Sequence, residues 1–280
     1  MRLLHTSDWH LGQTLHTFDR TYEHQCFLDW LVDTIVAEQA DALLIAGDVF
    51  DNANPSAAAQ RQLYRFLQQA RARAPQLQVV VIAGNHDSAG RLEAPGPLLE
   101  AHGVTVLGNV VRGADGAIDL ERMLVPLRDR AGAIKAWCLA IPFLRPGDLP
   151  RVAAGELEAA DPYLHGIALL YQQAYALAKS KCANGEAVLA MGHCHMVDGQ
   201  ASEDSERRIV IGGTEALPAT MFDPTLAYAA LGHLHLAQRV GKKEHLRYCG
   251  SPLPLSFAEV GYQHQVLRVD LDGCSARAVA

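Results

Sequence analysis

No apolar run in this chain of 280 residues approaches the ~20 residues that span a bilayer, which excludes a membrane-spanning helix and makes a membrane partner unexpected. The N-terminus, Met1 to Asp8, passes straight into a short apolar strand and a candidate ligand, which is not the pattern of a secretory leader. The six cysteines (Cys26, Cys138, Cys182, Cys194, Cys249 and Cys274) include no C-x-x-C pair, so neither a zinc knuckle nor a thioredoxin-like centre is indicated. Free thiols in a reducing cytoplasm are the expectation. An excess of basic charge is missing too. The formal net charge of −7 argues against a stand-alone nucleic-acid binder with a basic face. It leaves a metal-dependent nuclease open, because bound cations bring their own positive charge. There is no G-x-x-x-x-G-K-[ST] phosphate loop, no G-x-S-x-G nucleophile elbow and no H-E-x-x-H zinc helix. Low-complexity segments, long linkers and repeats are also lacking.

Apolar residues make up 49 % of the chain, enough at this length for a large core. Strand and helix alternate through the first half. Strands are predicted at Arg2–Thr6, Ala42–Ala46, Val79–Ala83 and Val104–Leu107. Helices are predicted over Tyr22–Gln39, from Pro55-Ser56 onward, and over Leu92–His102. From about Ile118 the texture changes to a strand pair, Ile118–Leu127 and Ile134–Ile141, around a turn at Arg130–Gly132. A helix over Asp161–Lys181 follows. Strands are then expected near Ala187–Met191, Arg208–Ile211, Ala227–Leu231, Ala237–Val240, Leu246–Cys249 and Gln265–Leu271. The pattern predicts an α/β fold: a four-layer α/β/β/α sandwich of two mixed sheets with helices outside, in one domain.

Five short stretches carry the chemistry. They are Asp8-Trp9-His10, Gly47-Asp48-Val49-Phe50-Asp51, Gly84-Asn85-His86-Asp87, Gly192-His193-Cys194-His195 and Gly232-His233-Leu234-His235. Each follows an apolar run that reads as a strand, which places oxygen and imidazole ligands at the carboxyl ends of neighbouring strands. Such a set is what two divalent cations need to hydrolyse a phosphate ester. In extended backbone Asp8 and His10 point the same way and reach one cation together. Asp48 has two oxygens and is the candidate bridge. Asp51 is expected to hold and polarise a catalytic imidazole, or else to serve as an ordinary turn or helix-cap residue. Asn85 offers a neutral carbonyl oxygen to a hard cation. His86, its neighbour, points elsewhere and is assigned to the leaving-group oxygen as proton donor. Asp87 is expected to fix its loop by accepting backbone amides.

His233 and His235 are each assigned to a metal. In the earlier pair His193 is preferred, because it follows a glycine as His233 does, and His195 remains an alternative. Cys194 is expected to face away from the ligands. His5, His102, His165, His245 and His264 are expected to be surface or packing residues. His16, Arg20 and His24 are set apart by their closeness to the first ligand loop.

These motifs, in this order, resemble the calcineurin-like metallophosphoesterase superfamily. Within it, four stretches resemble the nuclease-subunit family of the bacterial SbcCD complex: His5-Thr6-Ser7-Asp8-Trp9-His10-Leu11-Gly12, Ile45-Ala46-Gly47-Asp48-Val49-Phe50-Asp51, Ala83-Gly84-Asn85-His86-Asp87-Ser88 and Tyr248-Cys249-Gly250-Ser251-Pro252-Leu253-Pro254-Leu255-Ser256-Phe257. The last is the most specific, and the likeness runs from Met1 to about Asp270. The resemblance implies the metallophosphoesterase fold and a Mn2+-dependent 3′–5′ double-strand exonuclease and hairpin or single-strand endonuclease. It also implies two Mn2+ ions, an SMC-like ATPase partner of the SbcC type, DNA ends and hairpins as substrates, and a homodimer. Carried over by position, one metal takes Asp8, His10, Asp48 and His235. The other takes Asp48, Asn85, His193 and His233, with His86 catalytic and Asp51 supporting it. Family members continue into a capping domain and an ATPase-gripping helical segment; residues 1–280 are expected to hold the phosphoesterase domain alone. The competing expectations are a phosphoesterase for small monoesters or cyclic nucleotides, and an inert scaffold protein.

Overall fold

The computed structural model describes residues 1–150, 161–197, 199–201, 206 and 216–279. In chain order the elements are β1 (Arg2–Thr6), a short hairpin of β2 (Thr14–Leu15) and β3 (Phe18–Asp19), α1 (Thr21–Ala37), β4 (Ala42–Ala46), α2 (Ala57–Arg73), β5 (Gln78–Ile82), α3 (Ala89–Glu93), α4 (Gly96–Glu100) and β6 (Val104–Leu107). There follow β7 (Leu124–Arg128), β8 (Ile134–Ala140), α5 (Pro162–Lys181), β9 (Ala187–His193), β10 (Tyr228–Gly232), β11 (Gln238–Val240), β12 (Lys243–Tyr248), β13 (Leu267–Asp272) and β14 (Ser275–Val279). One sheet has the order β14-β13-β1-β4-β5-β6 and the other β11-β12-β10-β9-β8-β7. Both are mixed. The inner pairs β1–β4–β5–β6 and β8–β9–β10–β12 are parallel. The pairs β1–β13, β13–β14, β7–β8 and β11–β12 are antiparallel.

The strand β4 shows why the sheets stack. All five of its residues, Ala-Leu-Leu-Ile-Ala, are buried, as expected of a parallel strand covered on both faces. Its side chains alternate. Ala42, Leu44 and Ala46 enter the core between the sheets, whereas Leu43 and Ile45 pack beneath Phe27, Leu31 and Ile35 of α1 and Phe66 of α2. On the far side Leu170, Tyr171 and Ala174 of α5 close the core over the second sheet. The result is the expected α/β/β/α order. Each fully buried Leu or Ile in these layers contributes roughly 1.5–3 kcal/mol.

Helix boundaries follow local chemistry. The Ser56 hydroxyl caps α2 by accepting from Ala59 N at 3.1 Å, and Asp161 caps α5 by accepting from Tyr163 N at 2.8 Å ahead of Pro162. The helix expected over Leu92–His102 is instead two single turns, α3 and α4. Pro95 cannot donate back to Arg91, so the first stops there; Pro97 is tolerated in the first turn of the second. The strand expected from Ile118 begins at Leu124, after a 3-10 turn at Glu121–Met123. The strand expected at Arg208–Ile211 lies outside the described residues. Among the described residues no helix is long and apolar enough to cross a membrane.

Candidate metal centre

Parallel strands deliver the candidate ligands from both sheets. Asp8 and His10 follow β1, Asp48 and Asp51 follow β4, and Asn85 and His86 follow β5; His193 ends β9, and His233 and His235 follow β10. Because β4 lies against β9 and β10, the carboxyl edges of the two sheets open onto one place. Glycine permits the approach. Gly47 has φ +90°, and a Cβ there would run into the ring of His193; a Cβ on Gly84 would strike the Asp48 carboxylate.

The backbone at the site is strained. Asp8 (φ 54°), His10 (φ 47°), Asp48 (φ 48°) and His233 (φ 102°) all occupy the left-handed half of conformational space, at a cost of about 1–3 kcal/mol each. Asp8 and His10 therefore do not converge through extended backbone, as their spacing suggested. They turn inward through left-handed residues, while the loop is laced to the β4 loop: Asp8 N donates to Gly47 O (3.0 Å), His10 N to Asp48 O (3.1 Å) and Leu11 N to Val49 O (2.9 Å). Buried Asp87 does what its sequence position suggested and accepts Phe50 N and Gly84 N at 2.9 Å and Val49 N at 3.2 Å. Burial and the nearby Asp48 charge push its carboxyl up to about 6, against the pull of those amides.

Asp48 sits at the centre. Its Oδ2 is 3.3 Å from His193 Nε2, 3.6 Å from His10 Nε2 and 4.0 Å from His86 Nε2, and its Oδ1 accepts His86 N at 2.8 Å. Burial opposes its charge, but the imidazoles of His193, His10 and His86 outweigh that and hold the carboxyl far below the usual range.

Three imidazoles have Nδ1 engaged: His193 with Ala46 O (2.9 Å), His86 with Asp51 O (2.8 Å) and His235 with Glu259 Oε1 (2.8 Å). This arrangement fixes the tautomer that aims Nε2 inward. His193 Nε2 also meets Asn85 Oδ1 at 2.9 Å. Among the described residues the Nε2 of buried His10 has no hydrogen-bond partner, an orphan nitrogen beside carboxylates that a cation would satisfy. Three buried groups bring ligand atoms within 4.8 Å of one another: Asp8, His10 and His235; His10, Asp48 and His86; Asp8, Asp48 and His193. Carboxylate, amide and imidazole donors in this arrangement fit divalent Mn, Fe, Co or Zn.

Some residues sit differently from their expected places. Asp51 reaches His86 through its main-chain carbonyl, while its carboxylate lies 3.5 Å from His10 Nδ1; the loop turns the side chain toward β1. His233 contributes to none of those three groups. Its N–H donates to both Asp8 oxygens (3.0 and 3.2 Å), and its ring lies 5.4 Å from that of His193 and 6.2 Å from that of His195. Burial and the charge on His193 keep it neutral, well below the ordinary histidine range. The Cys194 thiol is pushed up to about 12 by burial and points at Met196 Sδ. His24 Nε2 holds Trp9 O at 3.0 Å, between the first two ligands, and Arg20 donates to Pro254 O at 2.7 Å. Sequence reasoning missed Glu259, whose carboxylate reaches His235 from 24 residues away.

A calcineurin-like phosphoesterase family model matches residues 1–237. The chain belongs to the calcineurin-like phosphoesterase family. Within that family it groups with SbcD, the smaller component of nuclease SbcCD. It is 48 % identical over 277 residues to SbcD of Rhodobacter capsulatus, covering 99 % of this chain and 68 % of the relative. Against the Escherichia coli protein the identity is 41 % over 272 residues (95 % and 64 %), and against that of Bacillus subtilis 35 % over 272 residues (96 % and 66 %). The chain thus spans about two thirds of the length of the curated relatives it matches. The crystal structure of Pseudomonas putida nuclease MPE overlaps 39 % of this chain and 48 % of that one at 24 % identity and a TM-score of 0.25, too partial a match to bear on the fold.

In this phosphoesterase, burial opposes a proton on His193, but the adjacent Asp48 charge outweighs it and raises the imidazole to about 9. The raised value makes the metal-free Asp48–His193 pair stabilising below the ordinary histidine range, and that contribution is lost as pH rises through about 9. A cation needs the neutral ring. Mn2+ binding at pH 7 is therefore expected to release a proton and to tighten as pH rises toward 9. Calorimetry in buffers of different ionisation heat measures the release; binding without it would contradict the assignment of His193.

Proposed function

We propose that this phosphoesterase is the nuclease unit of an SbcCD-type assembly, hydrolysing DNA phosphodiesters with two divalent metal ions. In this reading it is a 3′–5′ exonuclease on double-strand ends and an endonuclease on hairpins and single strands, working in the cytoplasm with an SbcC-type ATPase in DNA end processing. The observation that carries the reading is the Asp48 carboxylate, surrounded by imidazole nitrogens from both sheets at 3.3–4.0 Å. The relationship to the SbcD proteins supplies the substrate class. Asp8, His10, Asp48 and His235 would hold one ion, and Asp48, Asn85, His193 and His233 the other, with Mn2+ the proposed metal. Such ions supply a water acidic enough to attack near neutral pH and positive charge against the phosphoryl oxygens.

The remaining chemistry belongs to the chain. Asp48 brings negative charge to the point where the two ligand sets meet. The carbonyl of Asp51 holds His86 Nδ1–H, so that Nε2 is the atom able to give a proton to the departing ribose oxygen. Asp87 ties the loops carrying Asp48 and His86 into one unit, which keeps donor and ligands in register. With a net charge of −7, DNA binding draws on the metals and on basic surface from the partner. A homodimer is proposed through the region of α2 and α4.

With Mn2+, the chain is expected to shorten end-labelled duplex DNA, faster with its ATPase partner, and to hydrolyse bis-p-nitrophenyl phosphate as well. Turnover of the small ester with DNA left intact would reassign it to small phosphate esters. Inertness toward both would leave a scaffold protein.

A further inference from the structure

The 3-10 turn Phe257–Glu259 is built the wrong way round for an ordinary surface turn. Phe257 is 66 % exposed and Val260 74 % exposed, while the carboxylate between them, Glu259, is 0 % exposed. Hydrophobic preference alone would rotate the turn to bury Phe257 and Val260 and free the acid. Burying a carboxylate while leaving two large apolar side chains in water needs specific compensation. It is visible at both oxygens. Oε1 lies 2.8 Å from Nδ1 of His235, and Oε2 accepts Leu255 N at 2.7 Å. The turn itself is closed by Glu259 N on Ser256 O (3.2 Å) and Tyr262 N on Glu259 O (2.9 Å).

We infer that Glu259 is a positioning residue for the metal centre: its carboxylate holds His235 by Nδ1–H and thereby presents Nε2 toward Asp8 and His10. The inference rests on the metal-site reading above and adds to it the residue that orients one ligand. Where His193 and His86 are steered by neutral carbonyls, Ala46 O and Asp51 O, His235 is steered by a buried charge. A carboxylate behind an imidazole raises its basicity as a ligand as well as fixing its ring. The second oxygen gives the device a further property. Because Oε2 fastens Leu255 in the Gly250–Phe257 segment, which also accepts from Arg20 at Pro254 O and from Gln13 at Leu255 O, the orientation of His235 is locked to the loop that follows β1.

The test uses the full chain as Glu259→Ala and Glu259→Gln, compared with wild type by Mn2+ calorimetry and by nitrogen-15 NMR of the imidazoles in the metal-free protein. In wild type His235 is expected as the Nδ1–H tautomer with a slowly exchanging, hydrogen-bonded proton. In Glu259→Ala that protected proton disappears, and affinity at one of two Mn2+ sites falls roughly 10–100-fold while the other site holds. Glu259→Gln, which keeps an acceptor oxygen but not the charge, is expected to fall in between. A merely structural role would lower the thermal midpoint and weaken both sites alike, with the His235 tautomer unchanged. That result, or a folded Glu259→Ala with two wild-type sites, would overturn the inference. Wild type that binds no Mn2+ would overturn the metal-site reading instead, and the His235 proton signal would still decide whether Glu259 holds the ring.

Discussion

Asp48→Asn is expected to bind neither Mn2+ ion at concentrations that saturate the wild type, and to lose DNA cleavage by a factor on the order of 10^3 or more, since several kcal/mol of charge stabilisation pass through the metals and each 1.36 kcal/mol is tenfold in rate. The substitution is nearly isosteric. Its Oδ1 can still accept His86 N, now at 2.8 Å from the carboxylate, so the loop after β5 keeps its anchor and the protein should fold. What is lost is the charge facing His193, His10 and His86. Without it, burial alone acts on His193 and lowers rather than raises its proton affinity, so the proton release expected on metal binding also vanishes. Calorimetric titration and single-turnover cleavage measure the two effects. A variant retaining both ions would show that Asp48 is not the shared ligand.

His86→Ala is expected to keep both Mn2+ ions and to cleave about 10²–10⁴-fold more slowly, the usual contribution of a positioned proton donor. Geometry makes this a sharp test, because His86 also lies in one of the three groups able to hold a cation, with His10 and Asp48. Its ring is 4.7 Å from that of His10, and its Nε2 is the farthest of the three imidazoles from Asp48 Oδ2. If His86 is a ligand, the substitution removes an ion along with activity. If it is the proton donor, calorimetry stays at two ions, and a substrate whose leaving group needs no proton, such as a nitrophenolate, loses much less rate than DNA does. Full activity on DNA would end the proposed role.

Much of this site was legible because its ligands are local to strand ends. Asp8, Asp48, Asn85, His193 and His233 each stand within about three residues of an apolar strand's end, and parallel pairing then gathers them with no further information. The sheets were legible for the same reason: β4 is apolar at every position, and only burial on both faces explains that. What escaped depends on contacts between distant segments or on unusual backbone. Glu259 reaches His235 across 24 residues, and no local pattern distinguishes it from a surface acid beside Phe257. The sequence points to the side chain of Asp51, yet the atom that meets His86 is its carbonyl; main-chain partners leave no mark in a sequence. The left-handed φ of Asp8, His10, Asp48 and His233 likewise overrides the extended-strand rule that pairs residues two apart. The hairpin of β2 and β3 and the edge strand β14 are short or lie at a sheet edge, without the apolar alternation that reveals a buried strand. The break between α3 and α4, in contrast, was written in Pro95 and Pro97 and needed only their missing amide hydrogens to be counted.

The central claim is that the Asp48 carboxylate is shared by two cations. An anomalous-difference map from crystals soaked in Mn2+ tests it most directly. Two peaks are expected beside that carboxylate, one reached by Asp8, His10 and His235 and the other by Asn85, His193 and His233. A single peak that leaves either ligand set untouched, or none at all, would contradict the account.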